Sequence, residues 1–186
     1  MSEEQIAFHC GPALAGIKPA NLISCRKREG EQIAAQVQRL NRVMNQKDIY
    51  FKILAENDVR VLVLVYRKKQ LEKQLANRAV LALLKKFGYK ELDSLEQMLK
   101  RLSERLKDDE FPHEIGAFLG YPTHDILGFI QNRGAGAMLA GDWKVYADPE
   151  GAKATFRRYK TCRHAIQKRL KRGETLAQVL LPCSVT

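Results

Sequence analysis

The sequence predicts an α+β protein in which helices predominate and a small antiparallel sheet completes a single domain. Apolar residues recur at helical spacing over most of the chain, whereas residues 48–67 are β-branched and apolar, and residues 142–148 alternate over a short strand of about 142–147. No linker or internal repeat interrupts the 186 residues, and this length suits one core. We therefore predict one domain over residues 1–186.

The N-terminal part of the chain is predicted to contain two helices. The first covers residues 11–17, because Pro12 fits a first helical turn and Lys18 precedes a proline, which disfavours helix. The second covers residues 29–46, where apolar residues recur every three or four positions: Ile33, Val37, Leu40 and Met44.

Residues 48–67, DIYFKILAENDVRVLVLVYR, predict a β-hairpin over about 49–66. The polar triplet 56–58 separates two strands, at about 49–55 and 59–66. The second strand is apolar on both sides, which indicates a strand that is central in its sheet or covered on both faces.

The rest of the chain is predicted to be mainly helical. Gly88 suits a helix end, and the pair Asp93-Ser94 suits a helix N-cap. The run GAGAMLAG is small and flexible and predicts a loop over 134–141, before the short third strand. The predicted helices cover residues 68–87, 91–106, 112–133 in two pieces, and 149–172.

The composition favours a soluble protein with acidic partners. The net charge is +11, with 45% hydrophobic and 28% charged residues. No apolar run approaches the ~20 residues that a membrane-spanning helix needs. The start MSEEQIAFHC has no basic region followed by an apolar one, so we expect a cytoplasmic protein without a signal peptide and without membrane contact. The excess charge favours nucleic acid or another anion, unless it is only a solvated basic surface.

Four widely spaced cysteines predict reduced thiols rather than disulfides or a metal site: Cys10, Cys25, Cys162 and Cys183. Cys162 and His164 would lie about 200° apart around a helix, which is poor geometry for one ion. A centre formed by His9, Cys10 and His113 is disfavoured because adjacent residues seldom bind one ion. We therefore predict no metal and no cofactor.

Three segments carry a family resemblance: HCGPALAGIKPANLISC (9–25), FPHEIGAFLGYPTHDILGFIQN (111–132) and GDWKVYAD (141–148). Together they resemble an uncharacterised bacterial family, domain of unknown function 3793. The resemblance covers nearly the whole chain and implies one intact domain, but it supplies no activity. It makes Cys10 the first thiol to consider, because Cys162 and Cys183 lie outside the three segments and Cys25 is only the last residue of the first.

The most specific functional hypothesis is a cysteine-dependent hydrolase or acyltransferase. If a helix starts at Cys10, its free N–H groups and dipole favour a thiolate. His113 would be the base and Asp125 the orienting group, in the order of a Cys-His-Asp triad. The alternative is that Cys10 packs as a small hydrophobic residue and His113 lies on the surface.

A second hypothesis is a nucleic-acid-binding module. The segment 114–130 resembles a helix-turn-helix, with glycines and apolar residues at matching positions: Gly116, Gly120, Ile126 and Phe129. Its second helix has no Arg or Lys before Arg133, although groove-reading helices usually carry Arg, Asn or Gln at base contacts. The basic helix 153–172 is then the expected phosphate contact, unless 114–130 is only a structural helix pair.

A third hypothesis is a non-enzymatic domain that binds a small anionic ligand or a partner. If the three motifs converge, their polar and aromatic residues line one pocket. Lysines there would favour an anion, whereas Trp143 and Tyr146 could instead be packing residues of a strand. The predicted ligand residues are His9, Lys18, Asn21, Glu114, Tyr121, Trp143, Lys144 and Tyr146.

Overall fold

A computed structural model shows the predicted α+β fold. It describes residues 1–27, 32–91, 93–108 and 110–180. The first residues of the predicted helix 29–46 lie outside the described residues, as do Leu92 within the predicted helix 91–106 and Cys183.

The chain divides into two compact units, which are described separately. The sheet unit comprises Met1–Lys68 and Tyr159–Thr186, and the helical unit comprises Lys69–Arg158. The single-domain organisation over 1–186 stays a prediction.

The sheet of the sheet unit is built around the predicted hairpin, which is confirmed. Strands β2 (Ile49–Glu56) and β3 (Arg60–Arg67) pair antiparallel, and the Asn57 side chain accepts hydrogen bonds from two backbone N–H groups of the turn. A strand that was not predicted, β1 (Ala20–Arg26), pairs antiparallel with the other edge of β3. The order β1-β3-β2 places β3 in the centre, as its apolar residues on both sides predict.

The helices of the sheet unit cover one apolar cluster. The predicted helix around residues 33–46 is confirmed as α2 (Ile33–Met44), which continues into a 3-10 turn, Asn45–Lys47. The remaining helical segments are α1 (Glu3–Leu14), residues 159–170 of α8 (Pro149–Leu170), and α9 (Leu176–Val179), of which α9 was not predicted. Helix and strand residues meet in the core, among them Ile6, Leu14, Phe51, Val63 and Ile166.

The predicted helix over 11–17 is wrong, because the first helix begins eight residues earlier. Ser2 and Gln5 form a capping box in which each side chain accepts from the other residue's backbone N–H. Pro12 consequently lies inside α1 rather than in its first turn. The Arg67 guanidinium donates to the carbonyls of Ala13 and Leu14 and satisfies the end of the helix.

The helical unit confirms the predicted helices with one added break. The predicted helix 68–87 is two helices, because Asn77 accepts from two N–H groups and starts a new one. Ser94 forms the predicted N-cap, and Gly88 has a φ of +80° beyond the preceding helix. The helices are α3 (Lys68–Leu75), α4 (Arg78–Lys85), α5 (Leu95–Arg105), α6 (Ile115–Phe118), α7 (Thr123–Gln131) and residues 149–158 of α8.

The third predicted strand is only partly correct. Residues Lys144–Val145 form β5, which pairs with β4 (Leu139–Ala140) in a separate two-stranded sheet. The predicted loop 134–141 thus ends in a strand, and the pair does not extend the hairpin sheet. The helix after it, α8, begins and ends within two residues of the prediction.

Candidate functional site

Cys10 is a core residue of α1. Its side chain is completely buried in the sheet-unit cluster, and burial raises the pKa of the thiol. It lies in the second half of a 12-residue helix, so the expected stabilisation by a helix N-terminus does not apply. These observations favour the packing alternative, and the nucleophile role of Cys10 stays a prediction.

The neighbouring motif residues of the sheet unit differ in exposure. Asn21 is buried, and its Oδ1 accepts from the backbone N–H of Ala13 at 3.2 Å. Lys18 is only 3% exposed, and its Nζ lies 5.6 Å from the centre of the Tyr159 ring. His9 is exposed and packs edge-on against Phe8. Of these residues, His9 is therefore the one open to solvent.

His9 lines a cavity of about 510 Å³ in the sheet unit. One wall is α1, a second is the stretch 23–26 of β1, and Gln36 of α2 contributes a third side. Gln36 lines the cavity, but its Oε1 is buried away from solvent and has no hydrogen-bond partner among the described residues. Sequence reasoning missed this site because β1 was not predicted.

Asp125 is the centre of a buried hydrogen-bond network in the helical unit. Its carboxylate is 2% exposed and accepts from the Trp143 indole at 2.7 Å. It also accepts from the backbone N–H groups of Tyr146, at 2.7 Å, and Ala147, at 3.1 Å. Nε2 of the exposed His124 lies 3.6 Å from Oδ1 of Asp125. Asp125 therefore joins α7 to the segment around β5.

Aromatic packing extends this network. The Trp143 ring lies 5.2 Å from the ring of Tyr121 and 4.6 Å from that of Phe156, and the Tyr121 hydroxyl donates to the Asp142 carbonyl at 3.0 Å. Tyr146 packs closely over Gly128, where an added Cβ would lie 2.5 Å from the ring. These predicted ligand residues are therefore half-buried and engaged in packing contacts.

Glu114 is held in a second buried network. It is 0% exposed, forms an ion pair with Arg105, and lies 3.4 Å from the hydroxyl of Tyr89. Burial and the Glu114 charge raise the pKa of Tyr89, which keeps the phenol protonated so that it donates to the carboxylate. The arrangement satisfies a buried charge without requiring a ligand.

His113 and Lys144 lie beside the same aromatic ring. The His113 ring is 4.7 Å from the ring of Phe129, and Lys144 Nζ is 5.6 Å from the centre of that ring. Lys144 Nζ also donates to the carbonyl of Gly134 at 2.6 Å. The segments 111–132 and 141–148 are therefore in contact within the helical unit. The triad of Cys10, His113 and Asp125 draws on both units and stays a prediction.

The helix pair of segment 114–130 has a short first member. Helix α6 has four residues, and Gly120, with a φ of +73°, turns the chain into α7. Gly116 contacts the second helix, where an added Cβ would lie 3.0 Å from Ile126. Asp125 of α7 is buried and α7 contains no Lys or Arg. These features are typical of a structural helix rather than of a helix that reads DNA bases.

One face of α8 in the sheet unit carries a row of exposed basic side chains. Residues 160, 164, 168 and 171 recur at helical spacing and are all exposed, and the Lys171 N–H still donates to the Gln167 carbonyl. The opposite face is buried through Tyr159 and Ile166. We name the exposed face the basic stripe: Lys160, His164, Lys168 and Lys171.

No helix in the described ranges is long and apolar enough to cross a lipid bilayer. The same ranges contain no group of three or more His, Cys, Asp or Glu side chains that could hold a metal ion. Cys10, Cys25 and Cys162 form no disulfide with one another.

The fold and these sites define an α+β protein that carries an exposed basic helix face and a cavity beside an edge strand. The family model described as "Protein of unknown function (DUF3793)" matches residues 6–180, and the chain belongs to this family. A search of curated proteins found no match, and a search of solved structures found none either.

Proposed function

We propose that this protein binds nucleic acid through phosphate contacts made by the basic stripe of α8. The stripe residues are spaced i, i+4, i+8 and i+11 from Lys160 and therefore share one side of the helix. At about 1.5 Å per residue they extend over roughly 16 Å. A row of cations of this length can contact several phosphates, because duplex DNA carries one charge per ~1.7 Å of axis.

The observation that carries the proposal is that the stripe is not neutralised. Lys160, Lys168 and Lys171 form no ion pair with any residue in the described ranges, and all three are exposed. The acidic residue in this part of the chain, Glu174, pairs with Arg169, which lies about 100° around the helix from Lys168. The charge of the stripe is therefore available to an external anion.

The positive charge of the chain is concentrated in the unit that carries the stripe. The sequence of the sheet unit has 17 Lys and Arg against 8 Asp and Glu, whereas that of the helical unit has 15 against 13. Most of the net charge of +11 therefore belongs to the unit that carries the stripe. A locally concentrated positive field raises both the association rate and the affinity for polyanions.

The chemistry available favours binding that does not depend on base sequence. Lysines recognise phosphates as point charges, and phosphate contacts position a protein on nucleic acid without reading bases. Helix α7, the reading helix of the predicted helix-turn-helix, offers no Lys or Arg for base edges. We therefore expect affinity for random duplexes, with strong dependence on salt.

The test is fluorescence anisotropy with a labelled random duplex at a series of salt concentrations. The triple variant K160Q/K168Q/K171Q should bind about a hundredfold more weakly at low salt. Its slope of log affinity against log salt should be smaller by about three, because each lost phosphate contact removes about one unit.

The matched control is K86Q/K90Q/K100Q, which removes the same charge from exposed lysines of the helical unit. It should bind within about threefold of wild type, since these lysines lie outside the stripe. Equal losses of affinity in the two variants would show that binding depends only on net charge, and this result would overturn the assignment to α8. Absence of duplex binding by the wild type at low salt would overturn the proposal itself.

A further inference from the structure

The three-stranded sheet has an outer face that carries cations of its own, separate from the basic stripe. Side chains of a strand point alternately to its two faces. Cys25 of β1 and Val61 of β3 stand opposite each other and both belong to the apolar core, so they lie on the inner face. Their sequence neighbours Arg26 and Arg60 form the next pair of the register. Both arginines therefore extend from the outer face, away from the core.

The outer face carries no acidic side chain from the three strands. Lys52 of β2 lies on this face as well, because its partner in β3 is four residues from Arg60. The strands contain a single acidic residue, Glu56. Glu56 stands opposite the inward-facing Val61, and its carboxylate pairs with Lys27 at 2.6 Å. The positive charge of the outer face is thus not neutralised within the sheet.

The two arginines are available to an external anion. Both are exposed, and neither guanidinium makes a hydrogen bond or ion pair with the described residues, including Asp58 of the hairpin turn. Like charges at directly opposed positions destabilise an antiparallel strand pair, and a bound anion offsets this repulsion. Ser24, two positions before Arg26, adds an exposed hydroxyl on the same face. The planar donors of arginine match phosphate oxygens in parallel hydrogen bonds, so this face is suited to phosphates.

The basic stripe and the outer face lie on opposite sides of the core of the sheet unit. Helix α8 packs on the inner side, because Ile166 belongs to the core and Cys162 Sγ donates to the carbonyl of Gly11 in α1 at 3.5 Å. Lys168 and His164 of the stripe each lie about 160° around the helix from Ile166. The stripe therefore points away from the core on one side, and the arginine pair points away from it on the other.

From this arrangement we propose that the protein bridges two nucleic-acid segments, one on the basic stripe and one on the outer face of the sheet. This inference rests on the proposed binding by the stripe and adds a second surface to it. A single short duplex reaches both surfaces only if it bends around the unit, and bending a duplex over such a length costs free energy. A second molecule contacts the outer face without that cost.

The test is a capture assay at low salt with the full chain. A biotinylated random duplex is fixed on beads, and retention of a second, fluorescent duplex is measured with and without protein. Wild type should retain the second duplex above the level without protein. R26Q/R60Q should retain about tenfold less, whereas its affinity for one duplex, measured by anisotropy, should stay within about threefold of wild type because the stripe is intact. K160Q/K168Q/K171Q should also lose retention, since bridging needs both surfaces.

The matched control is R39Q/R42Q, which removes the same charge and residue type from exposed positions of α2 in the same unit. It should retain as much of the second duplex as wild type. An equal loss of retention in the two double variants would show that only net charge matters and would overturn the second surface. Unchanged retention in R26Q/R60Q would show that stripe-bound copies associate with each other, and it would also overturn the second surface.

The two measurements separate failure of bridging from failure of the proposed function. A wild type that binds one duplex in anisotropy but retains no second duplex on the beads would overturn bridging and leave the binding by the stripe intact. A wild type that binds no duplex in either assay would overturn both.

Discussion

The charged side chains that the two units bury differ in sign. The described residues of the sheet unit bury Lys18 and Asn21, and Arg67 lies half-buried beside them, whereas the helical unit buries the carboxylates Glu114 and Asp125. In the sheet unit the helix end of α1 presents free carbonyls, and a guanidinium donates to them. In the helical unit the segment after β5 presents free N–H groups, and a carboxylate accepts from them.

For Arg67 and Asp125, the sign of the side chain matches the backbone groups that it satisfies. Glu114 instead pairs with the Arg105 side chain, and Asn21 accepts from the N–H of Ala13. Carbonyls at a helix end require donors, and N–H groups of an irregular segment require acceptors. Asn21, Asp125 and Trp143 therefore use their polar atoms inside the fold. Candidate binding groups are those that keep free polar atoms, such as Lys168 of the stripe and Arg26 of the outer sheet face.

The largest expected effect is on the labelling rate of Cys10. Because Cys10 is buried, this rate distinguishes a packing residue from a catalytic nucleophile. Iodoacetamide should label native Cys10 on the order of a thousandfold more slowly than a free thiol, because reaction requires opening of the core. The raised pKa of the thiol acts in the same direction. The half-buried Cys162 is the internal comparison and should react faster, as measured by peptide mass spectrometry. Rapid labelling of Cys10 near neutral pH would instead support the nucleophile.

Removal of the Asp125 carboxylate should strongly destabilise the helical unit. Asp125→Ala leaves three donors without their acceptor, and we expect a loss of about 3–5 kcal/mol in the free energy of unfolding. Trp143 is the single tryptophan, so its fluorescence during urea unfolding reports on this network. Glu104→Ala, an exposed carboxylate of the same unit, should change stability by less than about 0.5 kcal/mol. Similar small losses in both variants would remove Asp125 from its central role.

The Asp125 network also shows the limit of prediction from sequence. The hairpin and α8 were predictable because their apolar periods are long and regular. The start of α1 is missed because Pro12 suggests a first turn there, although the capping box of Ser2 and Gln5 is a sequence signal for the true start. Asp125 and Trp143 were both named from sequence, but as catalytic and ligand residues. Which donor faces the carboxylate depends on how the loops pack, and no local spacing encodes that.

Two motif glycines offer a smaller contrast between the units. Gly128→Ala should cost about 1–3 kcal/mol, because the new Cβ would lie 2.5 Å from the Tyr146 ring, which must shift. Gly11→Ala places its Cβ 3.3 Å from Arg163 Cγ and 3.4 Å from Arg163 Cα and Ile166 Cδ1, a milder crowding that the gain in helix propensity partly offsets. We expect it to remain within about 1 kcal/mol of wild type. Urea unfolding followed by circular dichroism measures both, and a reversed order would contradict the packing described.

The smallest expected effects come from one exposed ion pair in each unit. The guanidinium of Arg169 donates to both oxygens of Glu174 and also to the carbonyl of Val179, whereas Lys85 makes a single contact with Glu91. Glu174→Gln should therefore lower the midpoint of thermal unfolding more than Glu91→Gln, although both shifts are small.

The pH dependence of these two variants identifies the cause of their effects. Hydrogen bonding to Arg169 lowers the pKa of Glu174 from its ordinary value of 4.5, and hydrogen bonding to Lys85 lowers that of Glu91. A depressed folded-state pKa stabilises the fold fully above the ordinary value, and this stabilisation is lost as the pH falls through the lowered pKa. The difference between wild type and Glu174→Gln should thus be present at neutral pH and disappear in acid. A difference that persists in acid would show that Glu174 acts through packing rather than charge.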